Sequence, residues 1–440
     1  MKKRFWLLLS GAAFLVLAQQ QLLIQRPPRL IKQTLQSIHS GNAAIDFQFS
    51  RPMQRQSVAE NSRIDPQTPH RWLGENNPLR LILDAKHGIN VPLRLTLSGK
   101  DQRELSLQKQ SSFWDPRPWI IVSRTTDTGE QIQLQDRDGR WIPISPTWPG
   151  IQSIVPFGNG RGIAIVSRNV DGDEQVWLQR LQPRNLTRRR TGLGPPKLEP
   201  LQSLADKPFF FAHLSSNLNG DLLLQTGGFS PGSERFQLIG ADGNKRSLKL
   251  KTSGPVQLLP SGGGLVVPTF DGLSLRPIID NGRPVQLLPG SRNLGAFCAA
   301  SGRAVLIRHW PDYRRSIELV IPGLSPKQLH LGEEAILAVS CDSLGEHVWA
   351  VLGGWSGRKS EHEIVMFDRN GKVLKRRLLT PWSLKAGAPL QFDPVTQQLL
   401  MTIVKTQNND GRAGIMDAFT LEWRKLLSTP ISEAQWLTAG

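Results

Sequence analysis

HLSSNLNGDLLLQT, residues 213–226, holds the unit that decides the fold: a glycine turn at Gly220 followed by the apolar run Leu222 to Leu224. The same turn and strand return as PFGNGRGIAIVS (156–167), LPSGGGLVVPTF (259–270), AASGRAVLIRH (299–309), DSLGEHVWAVL (342–352) and FDPVTQQLLMTI (392–403). FWDPRPWIIVS (113–123) reads as a first copy. The turn glycines Gly160, Gly220, Gly263, Gly302 and Gly345 recur at roughly 40 to 60 residues, the period of a propeller blade. A four-stranded unit of that size cannot bury its apolar faces alone, so copies must stack around an axis.

The second half of each unit reads as a hairpin. EQIQLQDRDGRWIPIS (130–145), ERFQLIGADGNKRSLKL (234–250), LRPIIDNGRPVQLL (275–288) and EIVMFDRNGKVLKRRLLT (363–380) carry Asp138-Gly139, Asp242-Gly243, Asn281-Gly282 and Asn370-Gly371 between apolar runs. That spacing predicts two-residue turns between a third and a fourth strand. ISEAQWL (431–437) looks like an inner strand without the rest of its blade, placed to close the ring against the strand near Trp119.

The form Asp-Gly-x-x-x-Ile-x-Leu-x-Asp-x-x-Gly ending in Leu-Thr, clearest in DGDEQVWLQRLQPRNLT (171–187) and in residues 363–380, resembles the propeller repeats of the TolB family. The resemblance spans most of residues 113–437. It implies a propeller, usually of six blades, although seven sets are counted here.

Upstream, Ile45, Phe47 and Phe49 alternate with polar residues as in a half-buried strand. IDFQFSRPMQRQSV (45–58), followed by Arg63 to Pro66, resembles the Ig-like domain of the SbsA type, in which a Phe-Ser strand end runs into a Pro-Met turn. The likeness continues through residues 71–83 and 92–105, with Arg103 and Glu104 standing where that family's Asp-x-x-Gly turn has its glycine. It implies a sandwich that acts as a spacer or adhesive module.

The expected organisation is therefore all-β: a signal peptide or membrane anchor over 1–24, a linker over 25–43, an Ig-like β-sandwich over 44–112, and a seven-bladed β-propeller over 113–440, with six or eight blades as the alternatives. The first segment rests on Lys2, Lys3 and Arg4 followed by an apolar run to Ala18, where cleavage would release the chain. Either outcome exports the rest, anchored in an inner membrane facing the periplasm or secreted into it.

Among 440 residues, 54 Lys and Arg against 36 Asp and Glu give a net charge of +18. The excess is spread along the chain, which with an export segment favours an anionic envelope component over nucleic acid. Arg188, Arg189 and Arg190, and Lys375, Arg376 and Arg377, are the candidate anion-binding rim, each triplet at or just after an outer strand. The two cysteines, Cys298 and Cys341, precede equivalent turns one repeat apart, a spacing that suits a disulfide between neighbouring blades or two buried thiols.

No catalytic set is legible. The eight histidines lack metal-pair spacing, and the chain has no Gly-x-Ser-x-Gly elbow and no phosphate loop. The oxygen-rich loop Asn169, Asp171, Asp173, Glu174 reads as a turn before it reads as a calcium site. The expectation is a non-enzymatic protein without metal or cofactor, whose propeller face meets a protein or glycan partner. A periplasmic hydrolase using Asp312 or Asp342, or a TolB-like translocation accessory, is the alternative.

Overall fold

The computed structural model describes residues 25–37, 43–84, 88–182, 186–205, 207–228, 232–279, 285–356, 359–405 and 408–439, together with Phe14, residues 19–21 and Ser230. Most of the expected export segment and the Asn281-Gly282 turn lie outside the described residues. Among the described residues, no helix is long and apolar enough to cross a membrane.

The fold is almost entirely β. Its N-terminal part is two sheets around one core. One sheet orders Leu30–Ser37, Ala43–Phe49, Leu79–Leu83 and His70–Leu73, and the other Arg63–Asp65, Leu93–Leu97 and Gln110–Trp114. Alternation decides which side chains enter. Ile45, Phe47 and Phe49 are buried with Leu81, Leu95 and Trp72, while Asp46 on the opposite face pairs with its cross-strand neighbour Arg80 at 2.5 Å.

Two boundaries differ from the sequence reading. Residues 30–37, read as linker, form an edge strand paired with Ala43–Phe49. Only Leu35 of this strand is buried among polar neighbours, so no alternation marks it. FWDPRPWIIVS straddles the boundary: its apolar run takes the second-strand place in the first sheet, as a first copy of the repeat would, while its first two residues belong to the N-terminal part. Phe113 and Trp114 end the last strand of the N-terminal part, and Trp119–Thr126 begins the ring.

Seven antiparallel sheets follow among the described residues. From the inside outwards the first holds Glu433–Leu437, Trp119–Thr126, Gly129–Gln135 and Trp141–Trp148. The second holds Gly150–Pro156, Gly162–Arg168, Glu174–Arg180 and Gln202–Ser203, and the third Phe211–Ser216, Leu222–Gly227, Arg235–Ile239 and Lys245–Leu248. The fourth runs from Gln257–Leu258 to Gln286–Pro289, the fifth from Arg292–Cys298 to Lys327–Gly332, and the sixth from Ala335–Cys341 to Val373–Leu378. In the seventh, Trp382–Leu384 and Gln391–Asp393 both pair with Gln398–Lys405, and Asn408–Asp417 and Trp423–Leu426 lie outside. This is the architecture of a β-propeller.

Apolar seams join successive sheets: Ile121 with Ile154, Val166 with Leu214, Phe236 with Val267, Val305 with Val365, and Trp349 with Leu399. Val122 and Ala434 meet Leu400 and Ile415, joining the seventh sheet to the first. The face of the fifth sheet turned to the fourth carries an ion cluster beside the buried Leu306. Ile317 and Leu319 face the sixth sheet, so Glu318 faces the fourth, where it is 4% exposed and bonded to Arg292 (2.8 Å) and Arg308 (3.6 Å).

The predicted turn glycines all adopt left-handed φ, from 66° at Gly302 to 88° at Gly220. The outer hairpins have longer turns than the two-residue ones that the spacing predicts. At Gly139 the Asp136 carbonyl accepts from Gly139 N–H, Asp136 N–H donates to Arg140, and the Asp136 carboxylate caps the amides of Asp138 and Arg140. Only the glycine has positive φ, so this is a type I turn with a glycine bulge and not a two-residue turn. Asp368 with Gly371 repeats it.

Candidate binding site between the N-terminal part and the ring

Local sequence builds the junction from three distant segments. Pro116 and Pro118 carry the chain across without spare amide donors, and Asp115 between them and Trp114 is buried. Its carboxylate meets Arg117 at 2.7 Å and Arg137 at 2.9 Å. Burial opposes its ionisation, but the Arg117 hydrogen bonds and the Arg137 charge outweigh burial and hold the carboxyl below its ordinary value. Arg137 lies over the Trp119 ring at 3.9 Å and donates to the carbonyls of Arg117 and Pro118. Burial pulls its guanidinium down to about 10 despite Asp115.

Arg117 also donates to the Asn90 carbonyl, and Ile89 N–H donates to Val395. Beyond Val395, Asp393 is buried and accepts from Thr396 N–H and Oγ1. Burial pushes this carboxyl up to about 6, against those hydrogen bonds. These groups clamp the two parts together.

Residues 181–182 and 186–201 make the other wall. The base of this strap is held by Gln182 N–H to the Lys197 carbonyl (2.9 Å) and its tip by reciprocal bonds between Phe113 and Thr187 (2.6 and 3.1 Å). A Cβ on Gly192 would lie 2.9 Å from the Thr187 Cβ, so a larger residue would spread this tip. Between the strap and the junction lies a cavity of about 250 Å³ lined by Leu35, Phe113, Trp114, Trp119, Pro195 and Lys197, among others. Arg188, Arg189 and Arg190 stand exposed on the strap between Thr187 and Gly192, with no carboxylate partner among the described residues.

Those arginines therefore lie on a long excursion before the outer strand Gln202–Ser203, not at or after an outer strand as the spacing implied. Lys375, Arg376 and Arg377 do lie on an outer strand, Val373–Leu378 of the sixth sheet. Arg376 is 3.8 Å from Glu363 and Arg377 donates to the Leu421 carbonyl. The first and seventh sheets lie between the two triplets.

Cys298 and Cys341 end the inner strands of the fifth and sixth sheets and are bonded to each other. Asp342 lies in the turn between first and second strands, where it caps Leu344 and Glu346 and bonds His347 at 2.8 Å. Asp312 lies between second and third strands, paired with Arg314. Consecutive turns of an antiparallel sheet fall at opposite ends, so these two carboxylates share no site. Asn169 caps the amide of Asp173, and Glu174 accepts from Ala212 N–H and Arg168, leaving that loop with turn duties. Asp115, Arg117, Arg137 and Asp393 escaped sequence reasoning because nothing in the chain marks three remote segments as neighbours.

No family model and no curated protein matches the chain. Solved structures similar to it include TolB from Acinetobacter baumannii (13% identity, 80% of each chain covered, TM-score 0.43). Another is the uncharacterized protein lmo1340 from Listeria monocytogenes EGD-e (10%, 72% of this chain and 93% of that one, TM-score 0.48). The β-propeller domain of the trilobed protease from Pyrococcus furiosus is a third (10%, 79% and 92%, TM-score 0.43). Likeness at this level says nothing about activity.

Proposed function

We propose that the chain is a non-enzymatic protein of the bacterial envelope, exported by its N-terminal segment, in which an Ig-like spacer carries a seven-bladed, TolB-like ring that binds or scaffolds a partner or an anionic envelope component. The observation that carries the binding role is the strap: three exposed arginines, without carboxylate partners among the described residues, beside a cavity walled by aromatic rings. The Cys298–Cys341 bond supports an oxidising compartment. The commitment of Asp312 and Asp342 to turns at opposite ends weighs against the hydrolase reading.

Two measurements test this. A reporter fused to the C-terminus should be active only when exported, and the purified chain should sediment with isolated envelopes at low salt and be released as salt rises. A cytosolic reporter rejects the location. Salt-insensitive or absent sedimentation rejects the anionic component, and turnover of peptide or glycan fragments rejects the non-enzymatic role.

A further inference from the structure

Two independent features border the cavity: the arginines between its lining residues Thr187 and Gly192, and a strand edge whose Leu35 lines it. The first is charge: among the described residues Arg188, Arg189 and Arg190 meet no carboxylate, and Lys197 adds a fourth exposed cation on the same strap. The acidic residue lining the cavity, Asp115, is consumed by Arg117 and Arg137 and neutralises none of them. The second is main chain. Strand Leu30–Ser37 lies at the edge of its sheet, paired on one side with Ala43–Phe49 and, among the described residues, with no strand on the other. Its Leu35 lines the cavity.

The adjacent sheet shows how such an edge is used. Strand Gln110–Trp114 is also last in its sheet, and there Thr187 pairs with Phe113 through both main-chain bonds. Among the described residues, none of the strap does the same for Leu30–Ser37. Guanidinium groups recognise carboxylates by paired, directional hydrogen bonds. An open strand edge recognises the amides and carbonyls of another extended chain, with alternate side chains directed to one face. A polysaccharide or a lipid head group satisfies the first requirement only.

We infer that the cavity and the edge of Leu30–Ser37 form a docking site for an extended, acidic peptide segment of a partner protein. The segment adds as a strand beside Leu30–Ser37, sets apolar side chains against Leu35, Phe113 and Trp114, and turns carboxylates to Arg188–Arg190. This rests on the binding role proposed above and gives that role a ligand class.

The test uses the full chain in detergent and a fluorescent peptide of alternating Glu and Leu. Binding should weaken with salt, and a peptide with Lys in place of Glu should not bind. Arg188→Ala, Arg189→Ala and Arg190→Ala together should weaken binding about tenfold, the scale of several exposed charge contacts. These side chains are exposed, so the variant keeps its fold, checked by an unchanged melting temperature. Hydrogen exchange then separates the sources: bound peptide should protect the amides of residues 30–37. No binding, equal affinity in the triple variant, or binding without that protection overturns the proposal. If dextran sulfate binds through the arginines while the peptide does not, the peptide is rejected and the anionic-envelope reading stands.

Discussion

Cys298 and Cys341 end neighbouring inner strands at equivalent positions, with Cα atoms 5.6 Å apart and their sulfurs bonded. The approach depends on Gly345, whose φ is +70° and where a Cβ would lie 3.1 Å from the Cys298 Sγ. The bond ties the fifth sheet to the sixth across a sequence separation of 43 residues. Loop-closure entropy for a span of that size corresponds to about 4 kcal/mol. Reduction, or Cys298→Ala with Cys341→Ala, should lower the unfolding midpoint substantially in urea. Equal midpoints in oxidised and reduced protein would show that the bond contributes nothing.

Glu104 takes φ +64°, a left-handed backbone that favours glycine. Asp101 caps the turn through the amides of Arg103 and Leu105, and Glu104 N–H donates to the Asp101 carbonyl, the pattern seen at Gly139. The side chain is held by Lys100 and Gln54 at the surface. A left-handed non-glycine residue costs about 1 kcal/mol, more than exposed contacts of this kind return. Glu104→Gly should therefore raise stability by a few tenths to about 1 kcal/mol. A destabilised variant in chemical denaturation would show that the side-chain contacts dominate.

These two cases mark how far the sequence is legible. Gly160, Gly220, Gly263, Gly302 and Gly345 announce their turns because left-handed backbone selects glycine, and Phe47 and Phe49 announce a strand because one face is buried. Leu30–Ser37 stays hidden because an edge strand with one buried residue has no period. The cluster of Asp115, Arg137 and Asp393 is hidden for a different reason: tertiary packing alone makes neighbours of residues so distant in sequence. Arg188–Arg190 were visible as a triplet, but their place on a strap was not, since the outer strand after them is only Gln202–Ser203.

Asp393 gives a pH test. Its folded pKa of about 6 lies above the ordinary 3.8, so between those values the folded state holds more protons than the unfolded state. Its contribution to stability therefore falls as pH rises through about 4 to 6 and is unfavourable above that window. Asp393→Asn keeps an oxygen acceptor for Thr396 and removes the buried charge. At pH 7 the variant should be more stable by roughly 1–3 kcal/mol, an advantage that shrinks towards pH 4. A pH-independent difference between the two proteins in urea titrations would exclude this account.

In the ion cluster of the fifth sheet, Glu318→Gln leaves the Arg292 and Arg308 charges beside the fourth sheet without their anion. Arg292 is 7% exposed in its side chain, so the cost should be on the order of 3–5 kcal/mol. Local opening should appear first in faster hydrogen exchange at residues 264–277 and 303–320. Exchange rising equally in the first and second sheets would instead indicate global loosening.

The C-terminal strand should be indispensable to the ring. Glu433–Leu437 pairs with Trp119–Thr126 along its whole length, so the first sheet joins the two ends of the propeller. Ala434 and Leu437 are buried, as is Ile431 just before the strand. Polar ties cross the same closure: Ser432 bonds Glu130, Lys385 donates to the Ser432 carbonyl, and Gln391 bonds the main chain at Ala434 and Trp436. Removing residues 431–440 bares the edge of Trp119–Thr126 and exposes Ile121 and Val122. Each such apolar side chain is worth about 1.5–3 kcal/mol of burial, and an unpaired strand edge invites aggregation. The truncated chain should be insoluble or melt well below the full chain, and Leu437→Ala should cost about 2–5 kcal/mol with solubility retained. A truncated chain that melts with the full one would mean that the ring holds without its closing strand, and that the apolar seams elsewhere carry its cohesion.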